Sequence, residues 1–470
     1  MKHISWYFIL AFALLFSMSC NQDASKQQKT NATNKTNETP KKDSLVSPKF
    51  TIPDWAAGVN IYEVNIRQYT KEGTFSAFEK HIPRLKEMGV DVLWLMPINP
   101  VSKKDRKGSL GSYYAVQDYK GVNPNFGTLD DLKSLVQSAH KAGMYVILDW
   151  VANHTGRDNL WITKNPEWYT KDAEGNIAVP EGTDWTDVAD LNYDNKDMRR
   201  AMIDALKYWI QEVDIDGYRC DVAGMVPIDF WIEARKEIET LKPVFMLAEE
   251  GKPEIHKAFD MSYGWDIHHI MNQVAKGEKT VSEIDKYFKE VKQKYQPEDV
   301  IMNFTSNHDE NSWNGTVYER MGKAALTFAV FASSIPGMPL IYSGQEASLN
   351  KRLEFFEKDP INWKGKSLND FYATLLKAKH EHAALWNGIA GGELQRIHTS
   401  NDEAVFAFVR EKDKDKVFVV LNFSENEIEI EFLDPKFKGI YTEIFTKENV
   451  SLTSDTRMKL KPWDYKVFCK

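Results

Sequence analysis

The sequence predicts an α/β fold: a (β/α)₈ TIM barrel with a small domain inserted after its third strand and an all-β domain at its C-terminal end. Three observations carry this expectation. Short apolar runs alternate with stretches of helical period from about residue 59 to about residue 342. That rhythm breaks once, over residues 151–200, where Asn, Asp, Trp and Gly are frequent. After about residue 390 the texture changes to paired strands of period two.

The chain starts with Met1-Lys2-His3, an apolar run from Trp6 to Phe16, and then Ser17-Met18-Ser19-Cys20. A positive start, an apolar stretch too short to cross a bilayer and small residues at the break have the build of a secretory signal over residues 1–20. The Cys at the break resembles a bacterial lipoprotein signal, which implies lipidation of Cys20. The expectation is an exported protein, lipid-anchored to a bacterial membrane on its periplasmic side or at the cell surface. Residues 21–50 are Asn, Lys, Thr, Gln and Ser with few large apolar groups. Such a stretch buries too little surface to offset its ordering entropy and reads as a flexible linker.

The barrel is expected over residues 51–385. Ile61-Tyr62-Glu63-Val64-Asn65-Ile66 alternates as a first strand. Phe75, Phe78, Ile82, Leu85 and Met88 fall at helical spacing and Gly89 ends that helix. Val90 to Leu95 reads as the second strand. Thr128 can cap a helix carrying Leu129, Leu132, Leu135, Val136 and Ala139, and residues 145–150 read as the third strand. Beyond the inserted domain at 151–200, helices are expected at 201–213, 228–241, 281–294 and 322–335. Strands are expected at 215–221, 244–249, 300–306 and Pro339-Leu340-Ile341-Tyr342, with Gly264-Trp265-Asp266 as the sixth. Residues 390–470 read as a β-sandwich, with Ala404 to Arg410 paired to Lys416 to Phe423.

The 470 residues carry a net charge of −8, and 42% are hydrophobic and 27% charged. This is ordinary for a soluble globular protein, and an acidic balance without a basic stripe argues against a nucleic-acid partner. Three cysteines, Cys20, Cys220 and Cys469, give no disulfide framework. With 14 Trp and 19 Tyr, most rings belong to the core, yet flat rings are also the usual platform for the apolar faces of sugars.

Four acids stand at the C-terminal ends of apolar runs: Asp149, Asp221, Glu249 and Asp309. Singly, each is most simply a solvated side chain or a helix cap. Together, at strand ends of an alternating β/α chain, they converge on the face where such barrels do chemistry. Paired carboxylates on that face point to the cleavage or transfer of sugars.

The segments around these acids are Asp149-Trp150-Val151-Ala152-Asn153-His154, Gly217-Tyr218-Arg219-Cys220-Asp221, Leu247-Ala248-Glu249 and Asn307-His308-Asp309. Gly111-Ser112-Tyr113-Tyr114, Asp118-Tyr119, Asn123-Pro124 and Phe126-Gly127 precede them. In this order they resemble the α-amylase family of retaining glycoside hydrolases over about residues 55–470. The resemblance implies Asp221 as nucleophile, kept ionised by Arg219 two residues earlier, and Glu249 as acid/base with a raised pKa. It implies Asp309 as the third carboxylate. Tyr114, His154, Arg219, Asn307 and His308 would contact substrate, and Asp149 would support Arg219. It also implies a possible structural calcium, held by Asn153 with Asp187 or Asp190.

The implied activity is hydrolysis of α-1,4-glucosidic bonds in starch, glycogen or maltooligosaccharides. Two alternatives stay open: a transglycosylase or disaccharide isomerase using the same residues, and a non-catalytic glucan-binding lipoprotein. Oligomeric state is left open. Ala248 stands where the family commonly has Gly, and Gly224 and Met225 stand where many starch-cleaving members have Lys-His. These departures bear on specificity.

Overall fold

The computed structural model describes residues 50–470. The signal segment, nearly all of the linker and the proposed lipidation residue Cys20 lie outside the described residues. Eight parallel strands close into a barrel: Ile61–Val64, Val92–Leu95, Tyr145–Trp150, Gly217–Cys220, Phe245–Ala248, Met261–Tyr263, Val300–Asn303 and Met338–Tyr342, here β1 to β8. Residues one apart point to opposite faces of a strand. Ile61, Trp94, Ile147, Leu247, Met302 and Leu340 accordingly pack with one another inside the barrel. Tyr62, Leu93, Leu148, Tyr218 and Met246 face the surrounding helices.

Most expected helices form, with ends set by caps; the one expected from Phe75 to Met88 is two, Phe75–Glu79 and Ile82–Met88, the second opened by Pro83. Thr128 and Asp131 make a reciprocal capping box that opens helix Leu129–Lys141, whose buried face is Leu132, Leu135, Val136 and Ala139. Helix Lys196–Val213 begins earlier than its apolar pattern suggests, because the Asn195 side chain accepts from the N–H groups of Asp197 and Met198. The sixth strand is Met261–Tyr263, not Gly264-Trp265-Asp266; Trp265 instead opens helix Trp265–Ala275. Only three residues long, that strand is too short to show a period. At Gly264 the chain passes so near β7 that an added Cβ would lie 2.7 Å from the Met302 carbonyl oxygen.

The insertion after β3 is built on an antiparallel pair, His154–Gly156 with Val188–Asp190. The C-terminal part forms a six-stranded antiparallel sheet and a two-stranded one. Ala407, Val409, Phe418 and Val420 of the larger sheet share a core with Ile430 and Leu460 of the smaller. Its opposite face, through Phe406, Phe408, Val419 and Leu421, packs against helix Ala325–Ser334 of the barrel. Burial on both faces explains why these strands read as nearly continuous apolar runs. The described residues form one compact unit.

Candidate active site

Alternation along the strands brings the polar groups to one end of the barrel interior. Asp149 on β3 pairs in register with Arg219 on β4. The Glu249 N–H donates to the Cys220 carbonyl at 3.0 Å, so Asp221 and Glu249 leave adjacent strand ends side by side. Arg219 is fully buried beneath them. Its Nη1 lies 2.9 Å from Asp149 Oδ1 and 3.0 Å from Asp221 Oδ1, and Nη2 is 2.9 Å from Glu249 Oε2. This last contact is an ion pair whose N–H is not aimed at the oxygen, since Nη2 makes no well-directed hydrogen bond. Arg219 Nε–H donates to the Tyr263 hydroxyl oxygen at 3.1 Å. The indole of Trp94 packs 5.0 Å from the guanidinium and donates to Asp149 Oδ2 at 3.1 Å.

After Asp221 the backbone turns sharply. Val222 has φ +36°, which a β-branched residue rarely adopts, and its N–H donates to Glu249 Oε2 at 2.8 Å. Strain of this kind persists where the surroundings over-determine it, as at ligand sites.

Tyr114 O–H lies 3.0 Å from Asp149 Oδ2 and 2.7 Å from His308 Nε2. His308 Nδ1 contacts Glu63 Oε1 at 2.5 Å, and Nε2 is 3.3 Å from Asp309 Oδ2. Burial would lower the His308 pKa, but Asp309 and Glu63 outweigh it and lift the imidazole to about 9. Protonated, His308 donates on both sides, and the Tyr114 hydroxyl passes its own proton toward Asp149. His154 has no such partner, and burial pushes it down to about 4.

Asp221, Glu249, Asp309, Tyr114 and His154 line one cleft of about 590 Å³. Asp149, Arg219, Asn307 and His308 stand buried behind that surface. Asn307 is a turn former, its Oδ1 accepting from the Glu310 N–H at 2.7 Å. Glu250, the neighbour of Glu249, turns away and accepts from the N–H groups of Gly251 and Lys252 at 2.8 and 3.2 Å. Its carboxylate fills the space above Gly224, where an added Cβ would lie 1.8 Å from Oε2.

The expectation that Arg219 holds Asp221 at low pKa needs correction. Burial first, and then repulsion from Glu249, raise the Asp221 carboxyl well above its ordinary range, with Arg219 pulling the other way. Burial likewise raises Glu249, against Arg219. Two neighbouring carboxyls that both resist ionisation retain a proton between them above the ordinary carboxylate range.

Asn153 and Asp187 are not placed to share one calcium ion. They lie at opposite ends of the ribbon in which His154 pairs with Asp190 and Gly156 with Val188. Asp187 Oδ1 is taken by Lys107 Nζ at 3.1 Å, and Asn153 Nδ2 faces His154 Nδ1 at 3.3 Å. Among the described residues no group of three His, Cys, Asp or Glu side chains could hold a metal ion.

Sequence reasoning missed Glu63, the buried partner of His308; its only signal was an acid within an apolar first strand. It also missed Trp185, Trp313, Phe355 and Phe356, aromatic side chains that form the walls of the cleft.

A closed (β/α)₈ barrel with carboxylates gathered on one arginine at its C-terminal rim defines the class of carboxylate-based, sugar-processing barrels. The chain matches the family model described as alpha amylase, catalytic domain, over residues 28–177 and 182–419, and belongs to that family. Residues 394–467 match the maltogenic amylase C-terminal domain. An alpha-amylase from Haloarcula japonica is 28% identical over 80% of this chain, which spans 56% of the length of that relative. The crystal structure of an alpha-amylase from Lactobacillus plantarum is 30% identical with a TM-score of 0.79, covering 88% of this chain and 99% of that one. That of a noncanonic maltogenic alpha-amylase from Thermotoga neapolitana is 29% identical with a TM-score of 0.77, covering 88% and 96%.

Proposed function

We propose that this protein is a retaining α-glycoside hydrolase that cleaves α-1,4-glucosidic bonds of starch, glycogen or maltooligosaccharides through a covalent glycosyl-enzyme. The single observation that carries the reading is the contact of one buried guanidinium, Arg219, with both Asp221 and Glu249 at the wall of a cleft. Retention requires two carboxyls about 5–5.5 Å apart, one attacking the anomeric carbon and the other protonating the leaving oxygen. In this division of roles Asp221 attacks as the anion and Glu249 supplies the proton. As Asp221 bonds to the sugar its charge is lost, Glu249 gives its proton to the departing oxygen, and the same carboxylate then deprotonates water. Asp309 faces the sugar hydroxyls, and Tyr114 offers its ring beneath the sugar.

Transfer to a second sugar instead of water uses the same intermediate. A merely glucan-binding protein has no need of three carboxylates on one cleft, and the presence of all three favours catalysis. We propose further that the chain is exported and held at a bacterial membrane by lipid on Cys20, a reading supported by the composition of residues 1–50. Among the described residues no helix is long and apolar enough to cross a membrane.

The test is product analysis over time with a panel of α-glucans and disaccharides, the anomeric form of the first product being read by proton NMR. Wild type is expected to release α-configured maltooligosaccharides. Asp221→Asn and Glu249→Gln are expected to lose at least ~10³-fold in kcat with unchanged circular dichroism. Near-normal turnover by either variant, or a β-configured first product, would sink the assignment. Longer oligosaccharides as main products would move it to transfer.

A further inference from the structure

We infer that Trp313 has two functions in this cleft: its indole ring carries the glucose unit next to the one at the reaction centre, and its indole N–H positions the Asp309 carboxylate. The inference rests on the proposed α-glucan reading and names a part of the site that the sequence motifs do not reach.

Trp313 lies four residues after Asp309, on the π-helical turn Glu310–Asn314. Turns of this wide kind gather at functional sites. Every other side chain of the turn is tied down. Glu310 Oε2 lies 3.0 Å from His268 Nε2, and Glu310 Oε1 accepts from Asn314 Nδ2 at 2.8 Å. Asn311 Nδ2 and Ser312 Oγ donate to the carbonyls of Lys351 and Leu353 at 3.1 and 2.9 Å. Arg320 closes the turn from behind, donating to the carbonyls of Gly315 at 2.9 Å and Thr305 at 2.7 Å. A turn fixed this firmly presents Trp313 to the cleft, where its side chain is 51% exposed.

Single exposed apolar side chains are common and carry no meaning alone. Two observations set Trp313 apart. First, its ring continues an aromatic wall that starts at the reaction centre. Tyr114 and Phe355 stack with centroids 6.2 Å apart at 15°, and Phe355 and Trp313 follow at 5.1 Å and 42°. A sugar seated over Tyr114 has its neighbour directed along this wall, and the free ring face suits the C–H face of a pyranose. Second, Trp313 Nε1 donates to Asp309 Oδ1 at 3.2 Å, while His308 Nε2 faces Oδ2 at 3.3 Å. Asp309 is therefore held from both sides with its remaining lone pairs turned to the cleft.

The experiment is steady-state kinetics of the full-length protein on linear maltooligosaccharides of increasing length, comparing wild type, Trp313→Phe and Trp313→Ala. In wild type kcat/KM is expected to rise at the chain length that first reaches Trp313. Trp313→Ala removes about tenfold of that rise, the loss of one aromatic contact area. Trp313→Phe keeps most of the rise, because a ring remains, but loses about tenfold in kcat at every length, because a hydrogen bond to a charged group is gone. Should the alanine variant not fold, the phenylalanine variant, which preserves packing on Phe355, decides by its split between kcat and KM. An unchanged length dependence in Trp313→Ala, or full kcat in Trp313→Phe, overturns the inference while the hydrolase reading stands. A wild type inactive on every α-glucan overturns both.

Discussion

Glu63 acts at one remove from any substrate. It is fully buried on β1 and its carboxylate meets His308 Nδ1 at 2.5 Å. Burial raises the Glu63 carboxyl, and His308 opposes that rise. The pair matters because His308 in turn faces Asp309 and Tyr114. With His308 held near 9 in the folded protein, against ~6.5 unfolded, its contribution to stability is fully present below ~6.5 and is lost as pH rises through about 9. Thermal midpoints followed from pH 6 to 10 should therefore fall across that interval, and Glu63→Gln should flatten the fall. The same variant should lower kcat by about 10–100-fold, the cost of misplacing a site residue by a fraction of an ångström. A flat wild-type midpoint across this range would show that the imidazole is not held protonated.

Strands four and five set the spacing of the reacting pair. Gly217 opens β4 in register with Phe245, and an added Cβ would lie 1.9 Å from the Phe245 carbonyl oxygen. Only glycine lets the two strands lie this close, and their ends carry Asp221 and Glu249. Gly217→Ala should cost about 1–3 kcal/mol in urea unfolding, as overpacking does, and should reduce activity in the folded fraction. Wild-type stability in that variant would mean that the strands are free to part. At this scale the sequence was most legible. Helices with a clear apolar period and a cap, such as Leu129–Lys141 after Thr128, were placed to within a residue. Strand six was not, because three residues show no period and Trp265 reads equally well as strand or helix. The four acids were legible because each follows an apolar run. Glu63 was not, since its partner is brought close only by barrel closure: His308 lies 245 positions away. Trp313 was not, because a lone Trp shortly after Asp309 gives no sign of the π-helical turn that aims it at the cleft.

Barrel and C-terminal sheet share a core. Phe328 of the barrel helix stacks on Phe423 with centroids 4.7 Å apart at 10°, and Phe331 packs edge-on to Phe406 at 5.8 Å. Arg410, fully buried, donates to the carbonyls of Ser334 and Ile335 at 3.1 Å and of Trp386 at 2.8 Å, holding barrel backbone to a sheet strand. The two parts should therefore unfold together. Phe423→Ala should cost about 3–5 kcal/mol, the range for truncating a buried aromatic, and should shift one common transition seen by both tryptophan fluorescence and circular dichroism. Two separated transitions in wild type would show that the sheet folds independently.

The central claim is that Asp221 becomes covalently bonded to the sugar. A glycosyl fluoride needs no proton on its leaving group, so Glu249→Gln can still form the intermediate but, lacking a base to activate water, releases it slowly. Mass spectrometry of this variant mixed with α-maltosyl fluoride should find one maltosyl unit added to the protein, on the peptide containing Asp221. The adduct on any other residue, or turnover of the fluoride without an adduct to give a β-configured sugar, would contradict it.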